Sequence, residues 1–355
     1  MQRQVRMNKK PLFYAILSGV LFGISAPVAK LLVQGMPPVA LAGLLYLGAF
    51  LGLFVFTLLR KAASPHGVVK ATPLEKKDLP WLAGAILAGG IVAPIAMMTG
   101  LTMASGFSTS LLLNLEGVAT TVLAVLVFGE FAGRRLWFAL SFMTVASIFL
   151  TWNPEQGAAS FTGPLLIILA MCFWGLDNNL TRHISHKDPV RIAQLKGLLA
   201  GTTSLGLAVL LGSQIPLDMT ILYAFVLGGL CYGLSSMLFI KGLEGLGSSR
   251  TGALFSLGPF VGAVLSILIF GESLTWGLAL ASILMVLGVW MMLSERHDHE
   301  HHHDRVTHSH VIRPDVHHED LINVNPLGSD PHEHTHEPKT HSHAHWPDLH
   351  HRHKH

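Results

Sequence analysis

Ten apolar runs of about 20 residues recur along the chain, each closed by a short polar or Pro/Gly-rich break, and then the pattern stops. The runs fall at about 12–33, 38–59, 79–101, 107–128, 134–152, 161–182, 191–212, 219–241, 249–270 and 275–294. As a helix, a run of that length matches the roughly 30 Å hydrocarbon core of a bilayer. None alternates with the period of two that a strand shows, and a helix satisfies its own backbone in lipid. The pattern predicts an all-α integral membrane protein with ten transmembrane helices. The first run follows MQRQVRMNKK, a basic start that a signal peptide shares, but its length and the spans behind it read as a retained helix.

Charge orders these spans. Arg3, Arg6, Lys9, Lys10, Arg60, Lys61, Lys70, Lys76, Lys77, Arg134, Arg135, Arg182, Lys187, Arg191 and Lys241 fall at one set of alternate span ends. The opposite loops, near 34–38, 102–106, 153–160, 213–218 and 271–274, hold no Lys or Arg. The positive-inside rule then predicts a cytoplasmic membrane protein with both termini in the cytoplasm. Composition agrees with a membrane chain: half the residues are apolar and 13% are charged, against about 25% in soluble domains. The net charge of +3 points to no nucleic-acid partner. Cys172 and Cys231 both sit inside apolar runs, so no disulfide framework is expected.

The spans repeat. TMASGFSTSLLLNLEGVATTVLAVLVFGE, ending at Glu130, is echoed by EGLGSSRTGALFSLGPFVGAVLSILIFGE, ending at Glu272, at an offset of 142 residues. Thr109 falls on Thr251 and Asn114 on Ser256. FGISAPVAK (22–30) is echoed by WGLDNNLTR (174–182), with Gly23 on Gly175 and Lys30 on Arg182. Five spans are thus used twice, as 12–152 and 153–294, between a short N-terminus (1–11) and a tail (295–355). Five is odd, so the second copy enters the membrane from the other side. Inverted repeats of this kind underlie alternating access in many secondary transporters.

The residues that carry this plan, LFGISAPVAKLL in the first span and the blocks ending LVFGE and LIFGESLTWGLALASILMVLGV, resemble the drug/metabolite transporter superfamily and, within it, the EamA-type permeases. The resemblance covers about 12–294. It implies a non-enzymatic permease for a small metabolite and leaves the substrate open. Where the second copy has Gly258-Pro259, the first has Glu116-Gly117, an unusual carboxylate for that helix of the family.

An ionisable side chain inside a bilayer is costly and needs a reason. Glu116 lies about nine residues into its span, some 14 Å deep, with Asn114 nearby and no basic residue expected at its own depth. It is the leading candidate for a substrate cation ligand or proton carrier. Ser256 and Pro259 stand at the matching place in span 9, where the proline frees a backbone carbonyl. Asp177, with Asn178 and Asn179, completes the candidate substrate site. Asp177 and Lys196 lie at equal depth on adjacent spans and are expected to form a structural ion pair. Glu130 and Glu272 each end a helix before the next span and read as caps or turn formers. Trp174 reads as packing. GLGSSRTG (245–252) lacks the GK[ST] ending of a phosphate-binding loop, so no nucleotide site is expected.

The tail holds 19 of the 22 histidines, 11 acidic residues and no cysteine. It lacks the apolar content for a core, so it is predicted to be disordered without a ligand. Imidazole suits Ni²⁺, Co²⁺, Zn²⁺ and Cu²⁺. The candidate ligands are His297, His299, His301, His302, His303, His308, His310, His332, His334, His336, His341, His343, His345, His350, His351, His353 and His355. At three or four ligands per ion, this composition would hold at most about four to six ions. The spans hold no histidine; His183 and His186 lie just beyond the cytoplasmic end of span 6. HEHHH (299–303) and HEHTH (332–336) match the zinc-protease pattern HExxH, but that motif needs a helix, and it is rejected here. No cofactor is required. The sequence is consistent with a metabolite permease with a metal-binding tail, a Ni/Co/Zn transporter, and a metal-responsive membrane protein without transport; a homodimer is compatible with each.

Overall fold

The computed structural model describes residues 9–63, 73–128, 134–151, 161–184, 187–239, 241–242 and 254–293, and the backbone of four strands between 297 and 345. Glu130, His186, His350, His351, His353 and His355 lie outside the described residues.

Seven helices are long and apolar enough to cross a membrane: Lys10–Leu32, Pro38–Leu59, Lys76–Met103, Gly106–Val127, Thr162–Thr181, Pro189–Leu210 and Met219–Phe239. Three shorter apolar helices, Trp137–Leu150, Gly258–Phe270 and Trp276–Met291, take the remaining places of the ten-run pattern. They are numbered here as spans 1 to 10 in chain order.

Packing follows the duplication. Span 1 packs on span 9, and its repeat counterpart, span 6, packs on span 4. Span 3 packs on span 6, and span 8 on span 1. Spans 2 and 7 are counterparts of each other and pack together. They run antiparallel, since Gly43 meets Gly201 and Leu205 while Gly197 meets Tyr46 and Phe50. A direct repeat would make counterparts parallel; antiparallel counterparts are what inversion requires. Glycine lets these backbones touch. A Cβ at Gly23 would overlap the backbone of Gly258, and one at Gly175 would lie 2.8 Å from Ala119 Cβ.

Four interruptions break the helical regularity, in two matched pairs. Span 3 widens to a π-helix at Ile86–Val92, and span 8 does so at Gly228–Leu234, again offset by 142 residues. Span 4 breaks between a half-helix Gly106–Leu112 and a second one, Leu115–Phe128. Span 9 turns at Ser256–Leu257 before the half-helix Gly258–Phe270. The same tightened turn appears at both breaks: Asn114 N–H donates to Leu111 O (3.1 Å) and Leu257 N–H to Leu254 O (3.2 Å).

Residues 296–355 form a separate unit. Its strands are β1 (His297–His303), β2 (Val306–His310), β3 (His332–His336) and β4 (Lys339–His345). β1 pairs antiparallel with β4, and β2 with β3. Composition predicts no order in this segment; the pairing seen is of backbone, in two separate two-stranded ladders.

Candidate functional site

The interruption of span 4 positions its carboxylate. Glu116 stands in the first turn of the half-helix Leu115–Phe128, where unsatisfied N–H groups and the helix dipole favour negative charge. Asn114 is buried, and its amide donates back to Leu111 O at 3.3 Å, so it finishes the half-helix before the break.

Span 6 faces this break. Asn178 Nδ2 donates to Glu116 Oε1 at 2.8 Å and lies 3.2 Å from Thr120 Oγ1. Asn179 is buried and donates to Thr120 O (3.0 Å) and Gly175 O (2.8 Å), which fixes span 6 against span 4. Asp177, next to Asn178, turns the other way. Lys196 Nζ sits 2.6 Å from both of its carboxylate oxygens, and Thr181 Oγ1 donates to Oδ1 at 2.9 Å. Asp177 is buried and Lys196 nearly so, with 8% and 17% of their side chains exposed. A buried charge held by three hydrogen bonds from two donor groups is satisfied in place. The basic residue missing from the neighbourhood expected for Glu116 is thus supplied through span 6. Adjacent residues Asp177 and Asn178 join the lysine of span 7 to the carboxylate of span 4, and Glu116 lies within the electrostatic reach of both Asp177 and Lys196.

The π-helix of span 3 completes the cluster. Gly89 O accepts from Tyr46 Oη (2.5 Å) and from Trp174 Nε1 (2.9 Å). Its Cα abuts Asp177 so closely that any Cβ would overlap the carboxylate. A π-helix shifts the i→i−4 ladder and offers a carbonyl to outside donors. Sequence reasoning missed Gly89, Tyr46 and Thr120, and read Trp174 as packing alone. The readable signals were the glycine pairs, Gly89-Gly90 and Gly228-Gly229, at nearly matched positions. Trp174 and its repeat counterpart Phe22 meet edge to face at 6.3 Å, and Tyr232 lies 6.4 Å from Phe22.

Ser256 is half-buried at the break of span 9, and Pro259 is buried in the first turn that follows. The side-chain partners of Glu116 and Asp177 lie on spans 6 and 7. A shallow cavity lined by Lys30, Val33, Gln34, Leu101 and Thr102 lies at the other end of span 1, away from this cluster.

That end is closed across the repeats. Glu272 accepts from Gly106 N–H (2.7 Å) and Phe107 N–H (2.8 Å), capping span 4 from the far half of the chain. Lys30 donates to Ala104 O and to Leu101 O (3.4 Å) at the end of span 3, with Phe270 5.8 Å away. At the opposite, basic end Lys187 reaches Glu75 (2.7 Å) and Asp78 (3.3 Å), and His183 stacks on Trp81 at 4.0 Å. Lys187 and Lys77 together hold the Glu75 carboxyl down at about 2, and Glu75 in turn raises the Lys187 ammonium above its usual range.

The sequence profile of the EamA-like transporter family matches residues 9–152 and 161–294, one match for each five-span half. The chain belongs to the EamA-like transporter family. It is 27% identical over 292 residues to a Methanothermobacter thermautotrophicus protein named "Uncharacterized transporter", covering 78% of this chain and 84% of that one. It is 27% identical over 298 residues to a Salmonella typhimurium protein named "Probable amino-acid metabolite efflux pump", covering 79% and 93%. A solved crystal structure, 16% identical, superposes with a TM-score of 0.58 over 80% of this chain and 96% of its own, which shows the shared fold. This EamA-like chain is a multi-pass membrane protein of a transporter family. Its two HExxH matches fall in β1 and β3, where residues four apart are separated by about 13 Å and cannot share one zinc ion.

Proposed function

We propose that the protein is a secondary transporter that moves a small organic metabolite across the cytoplasmic membrane by alternating access, with both termini on the cytoplasmic side. One observation carries the reading. Spans 4 and 9 break at matched register, and the break in span 4 sets Glu116 at a half-helix N-terminus against Asn178 and the Asp177–Lys196 pair. Broken helices meeting at the repeat interface are where transporters of this plan bind their cargo. A carboxylate beside a buried lysine–aspartate pair and aromatic rings suits a solute carrying both a cationic group and apolar surface. The Salmonella typhimurium relative's name points to the same class of cargo. Glu116 is the cargo's cation ligand or a proton carrier, and the protein performs no covalent chemistry.

The second reading is transport of Ni²⁺, Co²⁺ or Zn²⁺, favoured only by the histidine tail. Among the described residues, no group of three His, Cys, Asp or Glu side chains is placed to hold a metal ion. The tail is a metal-binding appendage to an organic-solute permease.

The test uses the chain ending at Ser294, with and without Glu116→Gln, expressed in cells. Exported metabolites are profiled by mass spectrometry, and cell nickel, cobalt and zinc by elemental analysis. The expected result is an organic solute that leaves the cell only with Glu116 present, at unchanged metal content. A metal flux that depends on Glu116 would establish the second reading. Identical profiles in both series would establish a metal-responsive membrane protein without transport.

A further inference from the structure

We propose that the two strand ladders of the tail are two divalent-metal sites, built by register, in which cross-strand histidine pairs hold ions of the Ni²⁺/Co²⁺/Zn²⁺/Cu²⁺ class. This rests on the reading of the tail as a metal-binding appendage and gives that reading a geometry.

The sequence of β1 is HDHEHHH and that of β4 is KTHSHAH. Each places histidine at alternate positions, and alternate positions of a strand share a face. Two such strands bring their histidines together only if they pair in one register out of two. The observed register is that one. His297 stands opposite His345, His299 opposite His343, and His301 opposite His341. The opposite face takes Asp298 with Ala344, Glu300 with Ser342, and His302 with Thr340. β2 and β3 repeat the arrangement: His308 stands opposite His334 and His310 opposite His332. A one-residue slip would leave no histidine pair in the second ladder and at most one, His302 with His341, in the first.

Directly opposed residues have Cβ atoms about 4.5–5.5 Å apart, and the next pair on that face lies about 7 Å along the strand. Two neighbouring pairs therefore place four histidine positions together on one face, and four is the number of ligands a tetrahedral ion takes. The first ladder has three pairs in a row and the second has two. Each is enough for one four-coordinate ion, so the register predicts two tightly held ions per chain. Composition alone sets only a ceiling of about four to six. Energetics point the same way. A lone two-stranded ladder is marginal in water, and neither ladder has an apolar face to bury. Metal binding to sites absent from the unordered chain supplies folding free energy directly.

The experiment uses the full-length protein in detergent, stripped of metal. Zn²⁺ is titrated by equilibrium dialysis with elemental analysis, and Co²⁺ reports four-coordinate geometry through its visible absorption. The decisive variant conserves composition: His299→Glu together with Glu300→His moves one histidine to the other face. A control replaces His350, His351 and His353 by alanine. The expected result is two tight ions in the wild type and the control, with one of them weakened at least about tenfold by the exchange. Binding of about four to six equivalent ions, unaffected by the exchange, would overturn the register and leave simple metal binding standing. No tight binding by the wild type would overturn both.

Discussion

Spans 4 and 9 are the same helix used twice, and they differ where it matters. Both break within one residue of the same register, both cross a partner through glycine, and each is flanked by a span with a π-helix at matched register. At the break, however, the first copy carries Glu116 and the second carries Gly258. The facing helices differ in the same sense: span 6 presents Asp177 and Asn178, while span 1 presents Ser25 and Ala26 at the echoing positions. Backbone geometry is thus kept in pairs, and charge is kept on one side only. The duplication serves the two interconvertible shapes; the chemistry needs one copy.

The largest effect should come from the shared part. Gly23→Leu would drive a side chain into the backbone of Gly258, and Gly175→Leu into Ala119 and Thr120. Neither backbone can yield as a side-chain tip would, so each should cost more than about 3 kcal/mol and abolish the monodisperse peak in detergent gel filtration. Gly206→Leu, with nothing within 4 Å of its added Cβ, should elute as wild type. If Gly23 tolerates leucine, the crossing is not what holds the halves together.

The unpaired chemistry comes next. Lys196→Ala strands Asp177 in a buried site and should cost about 3–5 kcal/mol in thermal or denaturant unfolding. Adding Asp177→Ser, which copies Ser25 of the first half, should recover most of that loss. A double variant as unstable as the single one would mean that the lysine acts through something other than its aspartate.

Glu116→Gln should leave folding intact and reduce transport about 10- to 100-fold, the value of a hydrogen bond to a charged group. Ser256→Ala, at the matching break, should change transport less than about twofold. Equal losses would show that the two breaks contribute alike.

Glu272→Gln removes the charge from the cap on Gly106 and Phe107 and should lower stability by about 1 kcal/mol, read as a fall in Tm. The smallest effect lies at the basic end. Glu75 is held down at about 2 against an ordinary 4.5, so its contribution is fully present above pH 4.5 and is lost as pH falls through about 2. Half of its side chain is exposed, so screening keeps the gain small. Glu75→Gln should lower stability slightly at neutral pH and flatten the acid limb, the difference from wild type disappearing as pH falls to about 2.

The ten apolar runs, the offset of 142 residues and the proline of span 9 were all legible, because hydropathy and internal likeness report burial and duplication directly. The break in span 4 was not: Leu113 and Asn114 have ordinary side chains for a helix, and the turn there is set by packing against spans 6 and 9. The π-helices were hidden for a related reason, since their signature is a displaced carbonyl and not a side chain. Gly89 matters for what it lacks, which is a Cβ in the way of Asp177. In the tail, composition pointed to a formless chain, while the alternation in HDHEH and HSHAH already carried the strand period.

The cap supplied by Glu272 has a consequence for how the protein is made. The amide it serves, that of Gly106, precedes it by 166 residues. At a synthesis rate of roughly 5–20 residues per second, span 4 waits roughly 10–30 s for that carboxylate to leave the ribosome. Until then, Gly106 and Phe107 must be served by water at the membrane surface. The helix that carries Glu116 is therefore among the first to be inserted and among the last to be finished.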